Sequence, residues 1–490
     1  MDGLIRFLVV ALCVSMLLLA SCDKRDSAPS RPASQAQLWH PCRISHVSEP
    51  LSCAEVAVRE RPSETDSPTI KITVVRFAAH ATQPKPDPLI FLAGGPGQAA
   101  SAVAHQVLVA LRALRDERDL LFIDLRGTGR SGALHCDLGR GDEAFVSMLS
   151  PTLSKEALAT CAASVSADLS AYHTTNVIAD LETVAEALGL DQVNVIGVSY
   201  GTRVALRWQA SHPGRIRSMV LDGVAPPQQP LFASFAVDAQ RAWDLLVDDC
   251  AASPSCKRRY LAPNRLLERT LQAAQLAQEV TVTSPLSGEP VRIELSRAGV
   301  AMAIRAILYS PEFSAGMLFA LEQSAQGDWL PLLSLASTLT AGVSESMAIG
   351  ALLSTCCSED YQLFGQKSAE SEAGFVGRAA LHLLSSACLS WPHNASLPGF
   401  SKAARGSTPT LMFSGELDPV TPPRWAELAA KSLSAAQHKV FSAVGHGTLS
   451  TPCARRWLRD FVRDPAAKLQ ACAHTRTRPP FWLHRQAPPP

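Results

Sequence analysis

The chain has 490 residues, room for about three domains by length alone, although single large α/β enzymes reach this size too. Hydrophobic residues make up 47% of it, enough for an ample core. Lys and Arg number 45 against 44 Asp and Glu, a net charge of +1, and so even a balance points to no nucleic acid or other polyanionic partner.

The first residues stand apart from the rest. Arg6 precedes an apolar run from Phe7 to Leu19, followed by Leu19-Ala20-Ser21-Cys22 and the charged Asp23-Lys24-Arg25-Asp26. The run is shorter than the roughly 20 residues of a membrane span and reads as the apolar region of an export signal. Leu-Ala-Ser-Cys resembles a bacterial lipoprotein cleavage box, which implies a lipid on Cys22. It also implies a chain held at the cell envelope by that anchor alone, facing the periplasm or the exterior. An ordinary signal peptide cut near a cysteine is the alternative. Asp23 resembles an inner-membrane retention signal. Residues 23–38, rich in Ser, Pro, Ala and Gln, read as a flexible tether.

Export suits the cysteines. Setting aside Cys13 and Cys22 leaves 11 of the 13. Cys42 with Cys53, Cys136 with Cys161, Cys250 with Cys256 and Cys453 with Cys472 are near neighbours in sequence. Disulfides across such short loops are expected in an oxidising compartment. Cys388 would take Cys357 or Cys356, leaving one thiol over. No CxxC pair or His-flanked cluster supports a metal site.

Taken in order, Glu55–Arg59 and Ile70–Phe77 alternate apolar and polar residues, as edge or antiparallel strands do. Pro88–Ala93 and Leu120–Asp124 are short apolar runs ended by Gly94-Gly95-Pro96-Gly97 and by Arg126-Gly127-Thr128-Gly129-Arg130-Ser131-Gly132. Both read as strands buried on two faces. Gly127 and Gly129 are expected to shape a structural turn. A helical stretch, Thr175–Leu188, leads to Val193-Asn194-Val195-Ile196-Gly197-Val198, a further buried strand. It runs into Ser199-Tyr200-Gly201-Thr202 and a helical segment to Ala210. Strand, sharp Gly-x-Ser-x-Gly turn and helix are the setting of a nucleophile elbow, with Ser199 exposed at the strand end. Ser218–Gly223 is one more core strand.

From 228 to about 400 the pattern turns to Ala- and Leu-rich helical periodicity; Thr410–Ser414 and Lys439–Ser442 then resume strand character. The expected fold is therefore α/β, a mostly parallel doubly wound sheet with an inserted helical cap. Its core lies in 39–227 and 401–473, and 474–490, with Pro479, Pro480 and Pro488–Pro490, reads as a disordered tail.

A serine nucleophile needs a base, and the base needs an orienting acid. Asp418 follows the strand ending at Ser414, in a turn on the same rim as Ser199; Glu416 is its rival two residues away. His446 lies in the Gly-flanked loop after the next strand. Serine, acid and histidine thus occur in the chain order of Gly-x-Ser-x-Gly hydrolases. The Tyr200 N–H and a donor from the Gly94–Gly97 loop, at Gly95, would form the oxyanion hole. The chemistry is acyl transfer through an acyl-enzyme, requiring neither metal nor organic cofactor.

These motifs, with Leu417-Asp418-Pro419-Val420-Thr421-Pro422 and Gly445-His446-Gly447, resemble α/β-hydrolase serine peptidases of the prolyl and tripeptidyl aminopeptidase type. Gly-x-Ser-Tyr-Gly-Thr, the Asp-Pro-Val-Thr-Pro run, Cys42, Cys53 and Cys357-Ser358-Glu359-Asp360 are similar to the secreted tripeptidyl branch. The resemblance implies the α/β-hydrolase fold and a peptide substrate cut near its free N-terminus. It also implies an acidic subsite for the substrate's ammonium, for which Glu359 and Asp360 are candidates; the alternative is that they are ordinary solvated acids. Ala93 stands where a His often precedes Gly-Gly-Pro-Gly, and Cys356-Cys357 doubles a single cysteine. A carboxylesterase or other ester or amide hydrolase with the same triad is the competing function, and a binding lipoprotein with a vestigial site is a third.

Overall fold

A computed structural model describes residues 38–136, 141–147, 149–150, 153–364, 373–395, 397–474 and 476–484. The signal, Cys22 and nearly all of the tether therefore lie outside the described residues. The described residues from His40 on belong to one compact unit.

Nine strands form its central sheet. In chain order they are β1 (His40–Cys42), β2 (Leu51–Arg59), β3 (Thr69–Phe77), β4 (Leu89–Leu92), β5 (Leu120–Ile123), β6 (Val193–Val198), β7 (Ile216–Asp222), β10 (Thr410–Gly415) and β11 (Ala436–Phe441). Across the sheet they run β1-β2-β3-β5-β4-β6-β7-β10-β11. The β1 to β3 strands pair antiparallel, as does β3 with β5; every pair from β5 onward is parallel. The central apolar runs are buried along their whole length, whereas β2 alternates in and out. Parallel strands covered on both faces require the first pattern, and an edge region with one wet face permits the second.

Helix Ala100–Arg115 packs with Pro452–Arg463, and helix Thr174–Ala187 with Tyr200–Ser211. Between β7 and β10 lies the helical insertion, from Phe235–Ala252 to Ala379–Cys388. It includes a small hairpin of β8 (Glu279–Thr283) and β9 (Pro290–Glu294). It has its own apolar core around Trp243, Leu271, Ile304 and Leu332, all fully buried.

Among the described residues there are five disulfides: the four neighbouring pairs Cys42–Cys53, Cys136–Cys161, Cys250–Cys256 and Cys453–Cys472, and Cys357–Cys388. Cys388 takes Cys357, and Cys356 stays a free, buried thiol.

The described part of the tail departs from the expectation of disorder, while 475 and 485–490 lie outside the described residues. Residues 476–484 lie along the insertion as an ordered strap. Arg478 donates to Asp249 (2.7 Å) and Ser314 (2.8 Å). The Trp482 N–H donates to the Ala315 carbonyl (3.1 Å), and Tyr260 Oη donates to the Trp482 carbonyl (2.8 Å). Phe481, Trp482 and Leu483 pack on the insertion's core. Gly316 makes room for the indole, since a Cβ there would lie 2.8 Å from its ring. Pro479 and Pro480, which suggest disorder, precede an apolar triplet that is partly buried against the insertion.

Candidate active site

The turn after β6 holds Ser199 at φ 55° and ψ −122°, a conformation costly for any residue with a Cβ and sustained only by its surroundings. Two glycines permit it. A Cβ on Gly201 would fall 2.2 Å from the Leu92 carbonyl oxygen, and one on Gly197 would fall 2.5 Å from that of Gly201. The Ser199 N–H donates to the Asp222 carbonyl (2.9 Å), and the residue is half-buried.

The Gly94–Gly97 loop lies against it: a Cβ on Gly94 would be 3.0 Å from Ser199 Cβ. Gly95 takes φ +106°, open to glycine alone in practice. Neither the Gly95 nor the Tyr200 N–H donates to an acceptor among the described residues.

His446 Nδ1 lies 2.8 Å from Asp418 Oδ2. Asp418 is fully buried and accepts from the N–H groups of Val420 (2.8 Å) and Thr421 (2.9 Å) and from the Thr421 hydroxyl (2.7 Å). Those donors and the imidazole outweigh the upward push of burial, and the carboxyl sits below its ordinary range. For His446 burial pushes downward, but the charge and hydrogen bond of Asp418 prevail and its pKa is raised. Glu416, the rival acid, is directed elsewhere: its Oε2 accepts the Ala443 N–H (3.1 Å).

Two residues that the motifs did not single out join these loops. Asp222, buried at the end of β7, takes the Ser199 N–H on its carbonyl. Its carboxylate takes the N–H and hydroxyl of Thr448 (2.8 and 2.9 Å) and the N–H of Leu449 (3.1 Å). The serine and histidine loops thus converge on one residue. Tyr309, from the insertion, accepts the His446 N–H on its carbonyl (3.0 Å), and its ring meets the imidazole edge-on at 5.2 Å. An aspartate ending an apolar strand was the one signal that could have drawn attention to Asp222. Tyr309 had none.

Glu359 and Asp360 are not brought to this cluster as open carboxylates, which corrects both expectations for them. They are 2% and 0% exposed. Arg203, on the helix that follows Ser199, lies 3.4 Å from Glu359 and 3.1 Å from Asp360. Glu359 also accepts the Thr174 N–H (2.6 Å), and Asp360 accepts that of Leu231 (2.9 Å). Burial, with the Asp360 charge beside it, holds the Glu359 carboxyl up at about 7 despite Arg203. Thr174 Oγ1 in turn bonds the Tyr200 hydroxyl (2.7 Å), so the pair fastens the insertion to the helix behind the serine.

Two family models match the chain: the alpha/beta hydrolase fold over residues 87–256 and TAP-like protein over 373–472. Serine protease Hip1 of Mycobacterium tuberculosis is 28% identical over 282 residues, covering 52% of this chain and 54% of the relative. The tripeptidyl aminopeptidase of Streptomyces lividans is 26% identical over 220 residues, 41% of each chain. A solved proline iminopeptidase of Mycobacterium smegmatis overlays 84% of this chain and 98% of its own, at 15% identity and a TM-score of 0.43. The chain spans about half the length of the curated relatives it matches first.

Proposed function

Because the chain belongs to the α/β-hydrolase family and carries a TAP-like C-terminal region, we propose that it is a serine peptidase acting near the free N-terminus of peptides. Ser199 is the nucleophile, His446 the base and Asp418 the acid that orients it. The Asp418–His446 hydrogen bond at 2.8 Å carries the reading. It commits Nδ1 to the carboxylate and leaves Nε2 for the serine proton. His446 takes the Ser199 proton as Oγ attacks the carbonyl carbon. The N–H groups of Gly95 and Tyr200 receive the oxyanion, and His446 returns the proton to the leaving amine. Water then attacks the acyl-enzyme by the same proton route.

The preference for N-termini is supported by the similarity to the tripeptidyl aminopeptidase of Streptomyces lividans and to a proline iminopeptidase of Neisseria meningitidis, 26% identical over 189 residues. Export is supported by the five disulfides, which persist in oxidising compartments. Lipidation of Cys22 is part of the proposal on sequence grounds alone. Nothing in the charge balance calls for a nucleic-acid partner.

The test is a panel of prolyl, alanyl and tripeptidyl chromogenic amides, each with a free and a blocked amine, beside short acyl esters. Cleavage of amides only when the amine is free is the expected result. Ester turnover without amide cleavage would make the chain a carboxylesterase. Ser199→Ala should lower kcat on the order of 10⁶-fold while leaving the fold intact by circular dichroism; retained turnover would remove Ser199 from its role.

A further inference from the structure

Arg305 sits in the last turn of the helix Arg297–Ile307 and is only 6% exposed. Other buried arginines of this chain face carboxylates: Arg118 on Asp87, Arg126 on Asp180, Arg203 on Glu359 and Asp360. Arg305 faces none among the described residues. It donates to the Tyr309 hydroxyl (3.0 Å), and its Nε, also buried, has no acceptor. The guanidinium lies 3.6 Å over the centre of the Phe235 ring and 5.3 Å from that of Tyr309. Two aromatic faces and a helix C-terminus soften the cost of burying this cation but supply no counter-charge.

Arg305 stands beside the candidate site. The Tyr309 ring that receives Arg305 on its hydroxyl also meets the His446 imidazole edge-on. The unpaired cation therefore stands one aromatic ring from the base. In the proposed reaction His446 hands its proton to the leaving amine, so groups beside His446 line the path of the departing part of the substrate.

We propose that Arg305 is a subsite for a carboxylate carried by the leaving portion of the substrate. This rests on the serine peptidase reading. Guanidinium and carboxylate form the strongest hydrogen-bonded ion pair available to side chains, and in a water-poor site the pair selects substrates rather than merely attracting them. Two groups carry this chemistry: the free C-terminal carboxylate of a short peptide, and an Asp or Glu side chain just beyond the scissile bond.

The experiment uses the full chain and peptides identical up to the scissile bond. Their leaving portions end in a free carboxylate, in a carboxamide, or in a carboxamide with one added Glu. The expected result is a kcat/KM for one of the acidic forms about tenfold above the neutral carboxamide. Which acidic form it is identifies the source. In Arg305→Gln that ratio falls to near one, and in Arg305→Lys part of it returns. A wild-type ratio near one overturns the proposal. So does an unchanged ratio in Arg305→Gln, where a merely structural role would lower every substrate alike. Should Arg305→Gln not fold, inhibition of wild type by the leaving peptide as acid and as amide reads the same preference, and equal inhibition overturns it. If only esters are turned over, the peptidase reading falls while leaving alcohols with and without a carboxylate still test Arg305. If nothing is turned over, calorimetric binding of the acid and amide peptides decides it, equal affinities again being fatal.

Discussion

At the scale of single residues, the site depends on a few hydrogen bonds to groups that cannot find water. Since the pKa of His446 is raised above its ordinary value near 6.5 and the proposed base must be neutral to accept a proton, activity should fall as pH drops through a midpoint above that value. Asp418→Asn removes the charge that raises it. That variant should lose about 10⁴-fold in kcat, with any residual activity showing its acid limb at lower pH; a limb that stays in place would deny Asp418 its role. Asp222 has a different task. Asp222→Ala leaves the N–H groups of Thr448 and Leu449 without their acceptor, at about 1–3 kcal/mol for each buried donor. Thermal unfolding should show a lower Tm, together with a lower kcat because the histidine loop loses its anchor. An unchanged kcat at a lowered Tm would confine Asp222 to stability.

At the scale of elements, charge fastens the insertion to the helix that follows Ser199. Glu359 is held up at about 7, so the folded chain keeps a proton there that the unfolded chain, with an ordinary carboxyl near 4.3, has released. Relative to Glu359→Gln, stability should therefore be fully present in acid and decline as pH rises between those two values. Thermal unfolding of both proteins across that window checks it, and parallel curves would show that Glu359 stays ionised throughout. The elements themselves were largely legible in the sequence. A strand such as Leu120–Ile123 announces itself by an unbroken apolar run, and the elbow by two glycines whose missing Cβ atoms the turn demands. The candidates Ser199, Asp418 and His446 stand out in the sequence for the same reason, each in a loop that follows a recognisable strand. Asp222, Tyr309 and Arg305 were not. Their significance comes from contacts between segments far apart in sequence, and nothing in the residues flanking Arg305 marks it as a cation without a partner. The pair Glu359 and Asp360 misled in the opposite direction, because Arg203, their partner, lies about 150 residues earlier.

At the scale of the whole molecule, the strap 476–484 links the end of the chain's core to the insertion. It grips Ser314 and Ala315, close to the Tyr309 carbonyl that holds His446. Trp482→Ala should remove packing beside Gly316 and lower Tm by the equivalent of about 1–3 kcal/mol, since the indole is partly buried. A change within 0.5 kcal/mol, the range of an ordinary surface substitution, would show that the strap does not bear on the insertion. The tail's composition hid this, since proline and arginine suggest solvent while three apolar side chains decide where the segment lies.

The strap also orders events in time. Asp249, Tyr260, Ser314 and Ala315, the residues it holds, all precede it in the chain. Each of those side-chain contacts joins residues more than 160 positions apart, and closing loops of that length costs entropy before the contacts repay it. The strap is therefore expected to dock onto an insertion that has already collapsed on its own core.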